Sequence, residues 1–424
     1  MNFFKNILRY SLYIVIALFI GFNLFALLSG RFYLYKGFAN TYLVGKMGPT
    51  IYDLDVFHRD TLFIDSSKKQ NWLLSSFYNQ QSISKEHRQY LEDLETSAFI
   101  VIHKDSVLYE EYWDQHNTET VSNSFSMAKS VVAMLIGIAI EEGKIKSLDD
   151  PVGDYLPEFK DGDKKEITLK HLLQMASGLD WEESGKNPLS DNAESYFGSD
   201  LYKHTTSQKV EREPGKTFIY QSGNTQLLGF VIETAIGKSV SEYASEKIWN
   251  KIGMEQQGYW SLDRDGGNAK AFCCIYATAR DYAKLGKLLM DTGKYESQQI
   301  VPQWYLEEAL RPSKISDKDG RVNRRYGLHF WIYNGMSDPA YFYRGLLGQY
   351  IVVIPDQDLL IVRLGSKRIP DFNIPEQFEN DKEYIMQNIN NIGHAPDFFQ
   401  YIDIGKMIKS QTDFLRNERG TERP

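Results

Sequence analysis

Ser126 and Lys129 stand three residues apart in Ser126-Met127-Ala128-Lys129, at the head of a long apolar run. In a helix, positions i and i+3 share a face, so the hydroxyl and the amine would be neighbours. A serine hydroxyl is a weak nucleophile until a base takes its proton. A neutral lysine is such a base, and burial favours the neutral form because low dielectric penalises the ammonium. The next residues, Val131 to Leu135, Ile136, Ile138, Ala139 and Ile140, are apolar nearly all round, as in a buried helix. Gly143 supplies the stop. The serine would also feel the positive end of the helix dipole. A capping serine beside a snorkelling lysine is the alternative.

The same pattern recurs at Ser82-Ile83-Ser84-Lys85, within a polar run that leads into Glu86, His87 and Arg88. That context reads as the cap of a surface helix. Tyr220 is the next candidate. It lies where Thr217-Phe218-Ile219 meets the polar Gln221-Ser222-Gly223-Asn224, just before a helix. A phenol titrates near about 10, and a nearby ammonium would lower that enough to give a usable phenolate base. A core tyrosine with a backbone partner is the alternative. A third stretch, Arg344-Gly345-Leu346-Leu347-Gly348-Gln349, precedes a strong strand. Glycines there let a backbone N–H approach a ligand, and edge-strand amides serve as oxyanion donors. A plain turn is the alternative.

The elements that must position these residues follow from run length and turn chemistry. Ser97 to Ile102 and Val107 to Tyr112 form a hairpin about Lys104-Asp105. Ile167 to Leu173 opens a short helix that closes at Ser177-Gly178. Residues 205–310 are mostly helical, with helical spacing from Thr225 to Ile232, Asp281 to Leu289 and Trp304 to Leu310. Strands return at Tyr326 to Trp331, Gln349 to Ile354 and Leu359 to Leu364, the last two joined through Pro355-Asp356-Gln357-Asp358. Strands at both ends around a helical middle predict one antiparallel sheet closed by distant segments, with helices packed on it.

With 424 residues, 42% hydrophobic and 25% charged, the chain can bury a large core. A net charge of −8 and the lack of a long basic run argue against nucleic-acid binding. The two cysteines, Cys273 and Cys274, are adjacent, which predicts no disulfide framework and no zinc site. Tyr10 to Gly30 carries no charge and would span roughly 30 Å as a helix, about one bilayer core. Leu24 stands at −3 to Ala26 and Leu27 at −3 to Ser29, a poor fit to an A-x-A-like cleavage site. A single-pass membrane anchor with the catalytic domain outside the cytoplasm, periplasmic in setting, is expected. Secretion after signal-peptide cleavage is the alternative. Lys5 and Arg9 before the span against Arg31, Lys36 and Lys46 after it give only a weak charge bias.

Taken together, the three motifs resemble the serine β-lactamase/penicillin-recognising superfamily, on its class C and 6-aminohexanoate-dimer hydrolase side. The resemblance runs from about Ala98 to Gly365. Asn123 to Ser130 is similar to the family's nucleophile helix, Ser147 to Phe159 to the segment after it, and Leu173 to Leu179 to its L-x-x-x-S-G-L phrase. Ala277 to Gly286 resembles another shared helix, and Gly348-Gln349-Tyr350 with Ile354-Pro355 the strand after the third motif. The resemblance implies a β-lactamase/transpeptidase-like α/β (α+β) fold: an antiparallel sheet flanked by helices, plus a helical subdomain. It implies Ser126 as nucleophile, Lys129 and Tyr220 as its base system, and the backbone N–H groups of Ser126 and Leu346 as oxyanion hole. Ser222, Gly345 and Arg344 would contact substrate. Ser222 stands where class C β-lactamases have asparagine, and Tyr343-Arg344-Gly345 where they have K-T-G. Both departures favour a small amide, ester or peptide substrate over a β-lactam, with no metal or organic cofactor. β-Lactamase or D-alanyl-D-alanine peptidase activity and non-catalytic binding of cell-wall fragments are the alternatives. The expected layout is an anchor over 1–31, a lead segment over 32–95, the hydrolase domain over 96–396 and a peripheral tail over 397–424.

Overall fold

Strands from opposite ends of the chain meet in one sheet. The computed structural model describes residues 2–419. Its main sheet contains β1 (Leu73–Leu74), β2 (Thr96–His103), β3 (Ser106–Tyr112), β4 (Trp331–Tyr333), β5 (Ala340–Gly345), β6 (Gln349–Ile354) and β7 (Leu359–Gly365). Their spatial order is β4-β5-β6-β7-β2-β3-β1. The short edge strand β1 runs parallel to β3, and the remaining pairs are antiparallel. The closing seam is β7 on β2, with Val362 opposite Ile100 and Ile361 opposite Val101.

The two-residue period of these strands divides the core. Ala98, Ile100 and Ile102 of β2, with Ile351 and Val353 of β6, face one apolar cluster. Phe99, Val101, Tyr350, Val352 and Ile354 face another. The first cluster is closed by α3 (Ala128–Glu141), α4 (Ser222–Ile236) and α5 (Ala279–Met290), the second by α6 (Pro396–Arg419). Two further helices, α1 (Asn2–Ser29) and α2 (Tyr33–Asn40), precede them in the chain. Every residue of α3 from Ala128 to Ala139 is buried, so this helix is held by its whole circumference. Fully burying one of its large aliphatic side chains contributes about 1.5–3 kcal/mol.

Three expectations need correction. The tail after residue 396, expected to be peripheral, forms α6. Phe398, Tyr401, Ile402, Ile404 and Ile408 are buried against the sheet, a stripe hidden in the sequence by the charges between them. The lead segment places Ile51, Phe57, Leu62 and Trp72 in the first cluster, so it is part of the same core. The strand expected over Tyr326 to Trp331 is reduced to a bridge between those two residues, and β4 begins at Trp331. His329, at φ +61°, turns the chain out of extended geometry. Its buried imidazole bonds the Leu173 carbonyl at 2.8 Å and the Thr225 hydroxyl at 2.9 Å.

A smaller sheet positions the turn that carries Ser126. It orders Arg59–Leu62, Gly258–Ser261, Ile275–Ala277 and Ser122–Asn123 side by side. The chain leaving Asn123 is thereby tied to Ile275: the Ser124 N–H donates to the Ile275 carbonyl at 2.7 Å, and the Ile275 N–H donates to Ser124 Oγ at 3.1 Å.

Candidate active site

Ser126 lies in a 3₁₀ turn, Phe125–Met127, that runs directly into α3. Phe125 sits at φ +45°, a left-handed conformation that costs a bulky residue about 1–3 kcal/mol. Asn123 Oδ1 holds it by accepting the Phe125 N–H at 2.9 Å. The turn leaves Ser126 half-buried and open to a cleft, while Lys129, one turn on, is 1% exposed.

Lys129 Nζ has three partners: Ser126 Oγ at 3.0 Å, Ser222 Oγ at 3.0 Å and the Phe272 carbonyl at 2.8 Å. The Ser222 hydroxyl donates to Glu183 Oε1 at 2.6 Å, and its N–H donates to Glu183 Oε2 at 2.6 Å. A donor count fixes the rest. A carbonyl and a carboxylate only accept, so the one proton of Ser222 goes to Glu183 and its oxygen accepts from Lys129. A neutral amine has two N–H bonds and one lone pair. As an ammonium Lys129 donates to all three partners; once neutral, with its N–H bonds on Phe272 and Ser222, its lone pair faces the Ser126 hydroxyl. Burial pulls the Lys129 pKa down to about 8, against an upward push from the Glu183 charge.

Tyr220 borders the same cleft as Ser126, and Lys129 Nζ lies 5.2 Å from the centre of its ring. The expected lowering of its pKa does not occur. Enclosure of the phenol raises it, Glu183 raises it further, and these outweigh the downward pull of Ser126 and of the arginines nearby. Tyr220 is therefore a neutral phenol at physiological pH rather than a standing phenolate.

Strand β5 packs its end on the Phe125–Met127 turn. A Cβ on Gly345 would fall 2.2 Å from the Ser124 carbonyl oxygen, so only glycine permits this approach. Leu346 comes next and lines the same cleft as Ser126. Arg344 reaches the cleft wall too, but its fork is occupied. Its two terminal nitrogens lie 3.1 and 3.0 Å from the Asp371 oxygens, and the guanidinium stacks 3.7 Å from the Trp331 ring centre. Arg368 also binds Asp371. The third motif thus presents a cation already paired to a carboxylate.

All seven expected site residues border one cavity of about 410 Å³ or, for Lys129, lie directly beneath it. Sequence reasoning missed Glu183 and the carbonyl of Phe272. Glu183 is a single acidic residue in the loop after Leu179, fixed by Trp181, whose Nε1 donates to Oε2 at 2.8 Å; no spacing rule marks it. The cysteine expectation is corrected: Cys273 and Cys274 are joined in a disulfide, with Cys274 at φ +69°. The Phe272 carbonyl that holds Lys129 immediately precedes this pair, and Cys273 borders the cleft.

A serine–lysine pair at the head of a core helix, beneath the end of a strand in a helix-covered antiparallel sheet, defines the class of the penicillin-recognising serine hydrolases. The chain belongs to the beta-lactamase family, whose profile matches residues 86–384. It is similar to the 6-aminohexanoate-dimer hydrolase of Paenarthrobacter ureafaciens, 25% identical over 307 residues that cover 67% of this chain and 76% of the relative. Among solved structures it resembles a Bacillus anthracis protein whose name proposes the same hydrolase. There the TM-score is 0.67 at 22% identity, covering 80% of this chain and 92% of the other. The octameric penicillin-binding protein homologue of Pyrococcus abyssi matches at TM-score 0.53 and 20% identity, over 72% and 77% of the two chains.

Proposed function

We propose that the protein is a membrane-anchored serine hydrolase that cleaves an ester or linear amide through an acyl-enzyme on Ser126. The observation that carries this is the buried Lys129 amine, 3.0 Å from Ser126 Oγ. Neutral Lys129 takes the Ser126 proton as Oγ attacks the carbonyl carbon. The N–H groups of Ser126 and Leu346 receive the developing oxyanion, each such donor being worth about 3–4 kcal/mol. Tyr220 passes its proton to the departing alcohol or amine and is reprotonated from Lys129. Water then adds to the acyl-enzyme, with the same groups taking and returning its proton, and the carboxylic acid leaves. Glu183 acts through Ser222 as a positioning residue that fixes the direction of the Lys129 lone pair.

The substrate preference rests on the third motif. With Arg344 paired to Asp371, the third motif itself offers no unpaired cation to meet a β-lactam carboxylate. The relative named for a linear amide dimer supports the same choice. Anchoring rather than cleavage of α1 is supported by its contacts with α2: the Phe22 ring meets Tyr35 and Phe38, and Tyr35 donates to Asn23 Oδ1 at 2.8 Å. The test is kcat/KM on p-nitrophenyl esters, a linear amide dimer and a chromogenic cephalosporin. The expected order places esters or the amide first; a clear preference for the cephalosporin would replace this reading with a β-lactamase.

A further inference from the structure

One wall of the cleft comes from the segment that leaves the membrane helix. Tyr33, Leu34, Phe38, Tyr42 and Met47 border the same cavity as Ser126. Gly30, at φ +71°, reverses the chain after α1, and α2 returns along the helix it has just left. Phe22 makes edge contacts with Tyr35 and Phe38 at 5.4 and 5.1 Å between ring centres. Phe22 lies about 10 Å along the axis before the end of α1. If α1 spans a bilayer, the rings of α2 that touch Phe22 sit at the bilayer boundary rather than above it.

The hairpin is also fastened to the opposite wall. Arg31 donates to the Leu189 carbonyl at 2.6 Å, and the Tyr33 hydroxyl donates to the Pro188 carbonyl at 3.0 Å. The loop so held, residues 183–188, borders the cleft beside Ser126. Several large apolar side chains nearby are exposed. Leu43 is 79% exposed and Met47 86%, with Val44, Leu189 and Leu346 also exposed. A cluster of this kind is unfavourable against water and marks an interaction site. It is suited to the lipid boundary, where apolar side chains insert and tyrosines such as Tyr35 and Tyr42 settle at headgroup level.

We propose that the cleft takes its substrate from the bilayer: an amphiphilic ester or amide with a long alkyl or acyl chain, which enters past Phe38, Tyr42 and Met47 and brings its carbonyl to Ser126. This rests on the serine-hydrolase reading and names the substrate class of that site. The chain passes from one apolar medium to another, so binding it costs no exposure of apolar surface to water. Only the polar scissile group must leave the headgroup layer for the cleft.

The full-length protein, reconstituted in phosphatidylcholine vesicles, tests this. A long-chain p-nitrophenyl ester that does not exchange between vesicles is placed either with the enzyme or in separate vesicles, and p-nitrophenyl acetate is supplied in water. The long-chain ester should be turned over in the shared vesicles and at least about tenfold more slowly across separate ones, with no such difference for the acetate. Phe38→Asp combined with Met47→Asp should lower the long-chain rate relative to the acetate rate by about tenfold, a ratio that partial misfolding leaves unmoved. Acetate turnover without long-chain turnover in shared vesicles, or an unmoved ratio in the double variant, overturns the inference and leaves the hydrolase reading standing. Loss of both activities in the wild type overturns the hydrolase reading, and this one with it.

Discussion

The pattern Ser-x-x-Lys occurs at Ser126 and at Ser82, and the two stretches fold into unlike surroundings. At Ser126 the lysine is buried at the head of α3, its amine held by two hydroxyls and a carbonyl. At Ser82 both the serine and Lys85 are exposed. Ser84 there accepts the His87 N–H at 3.1 Å and caps the helix Lys85–Asp93, while the Ser82 N–H donates to Gln411 Oε1 at 2.9 Å. The same spacing of serine and lysine thus gives a hydroxyl paired with a buried amine in one place and a helix start in the other. What separates them is the apolar run after Lys129, which takes the amine out of water and lowers its pKa to about 8.

The largest expected effect contrasts the two serines directly. Ser126→Ala should lower kcat/KM on an activated ester by about 10³-fold or more, whereas Ser82→Ala should leave it within about twofold. Comparable losses from both would erase the distinction. Tyr220→Phe comes next, at about 10²-fold, since it keeps the ring but removes the proton relay. A near-normal rate on an amide, whose leaving group needs that proton most, would remove Tyr220 from the mechanism.

Smaller effects sharpen the part played by burial. The base form of Lys129 is the neutral one, so kcat/KM should rise with pH through about 8. The Glu183 charge pushes that pKa up, so Glu183→Gln should move the rise to lower pH and reduce the plateau rate. An unshifted profile would confine Glu183 to a structural role. The smallest effect falls on the second stretch: Ser84→Ala should cost about 0.5–2 kcal/mol of stability through the lost cap, with kcat/KM unchanged. Thermal melting and an ester assay on the same sample check both halves.

Much of the fold was legible because its signals are local. The alternation in β2, β6 and β7 and the apolar run of α3 declare themselves within a few residues. The convergence of Ser126, Lys129 and Tyr220 was legible by motif. Glu183 was not, because its importance lies in the single proton of Ser222, a partner 39 residues away that only folding brings near. The charge state of Tyr220 went wrong for a related reason: an ammonium neighbour can be guessed from motif company, but the enclosure that outweighs it cannot. Cys273-Cys274 escaped because a spacing rule for disulfides says nothing of a left-handed Cys274. The burial of α6 was masked by charges on its outer face, which dilute the apolar stripe of Phe398, Tyr401, Ile402 and Ile408.

The central claim is that burial of Lys129 makes Ser126, and not Ser82, the nucleophile. A fluorophosphonate probe followed by peptide mapping tests it most directly. The account predicts one adduct, on Ser126, formed faster as pH rises through about 8 and absent in Ser126→Ala. An adduct on Ser82, or labelling that persists in Ser126→Ala, would contradict it.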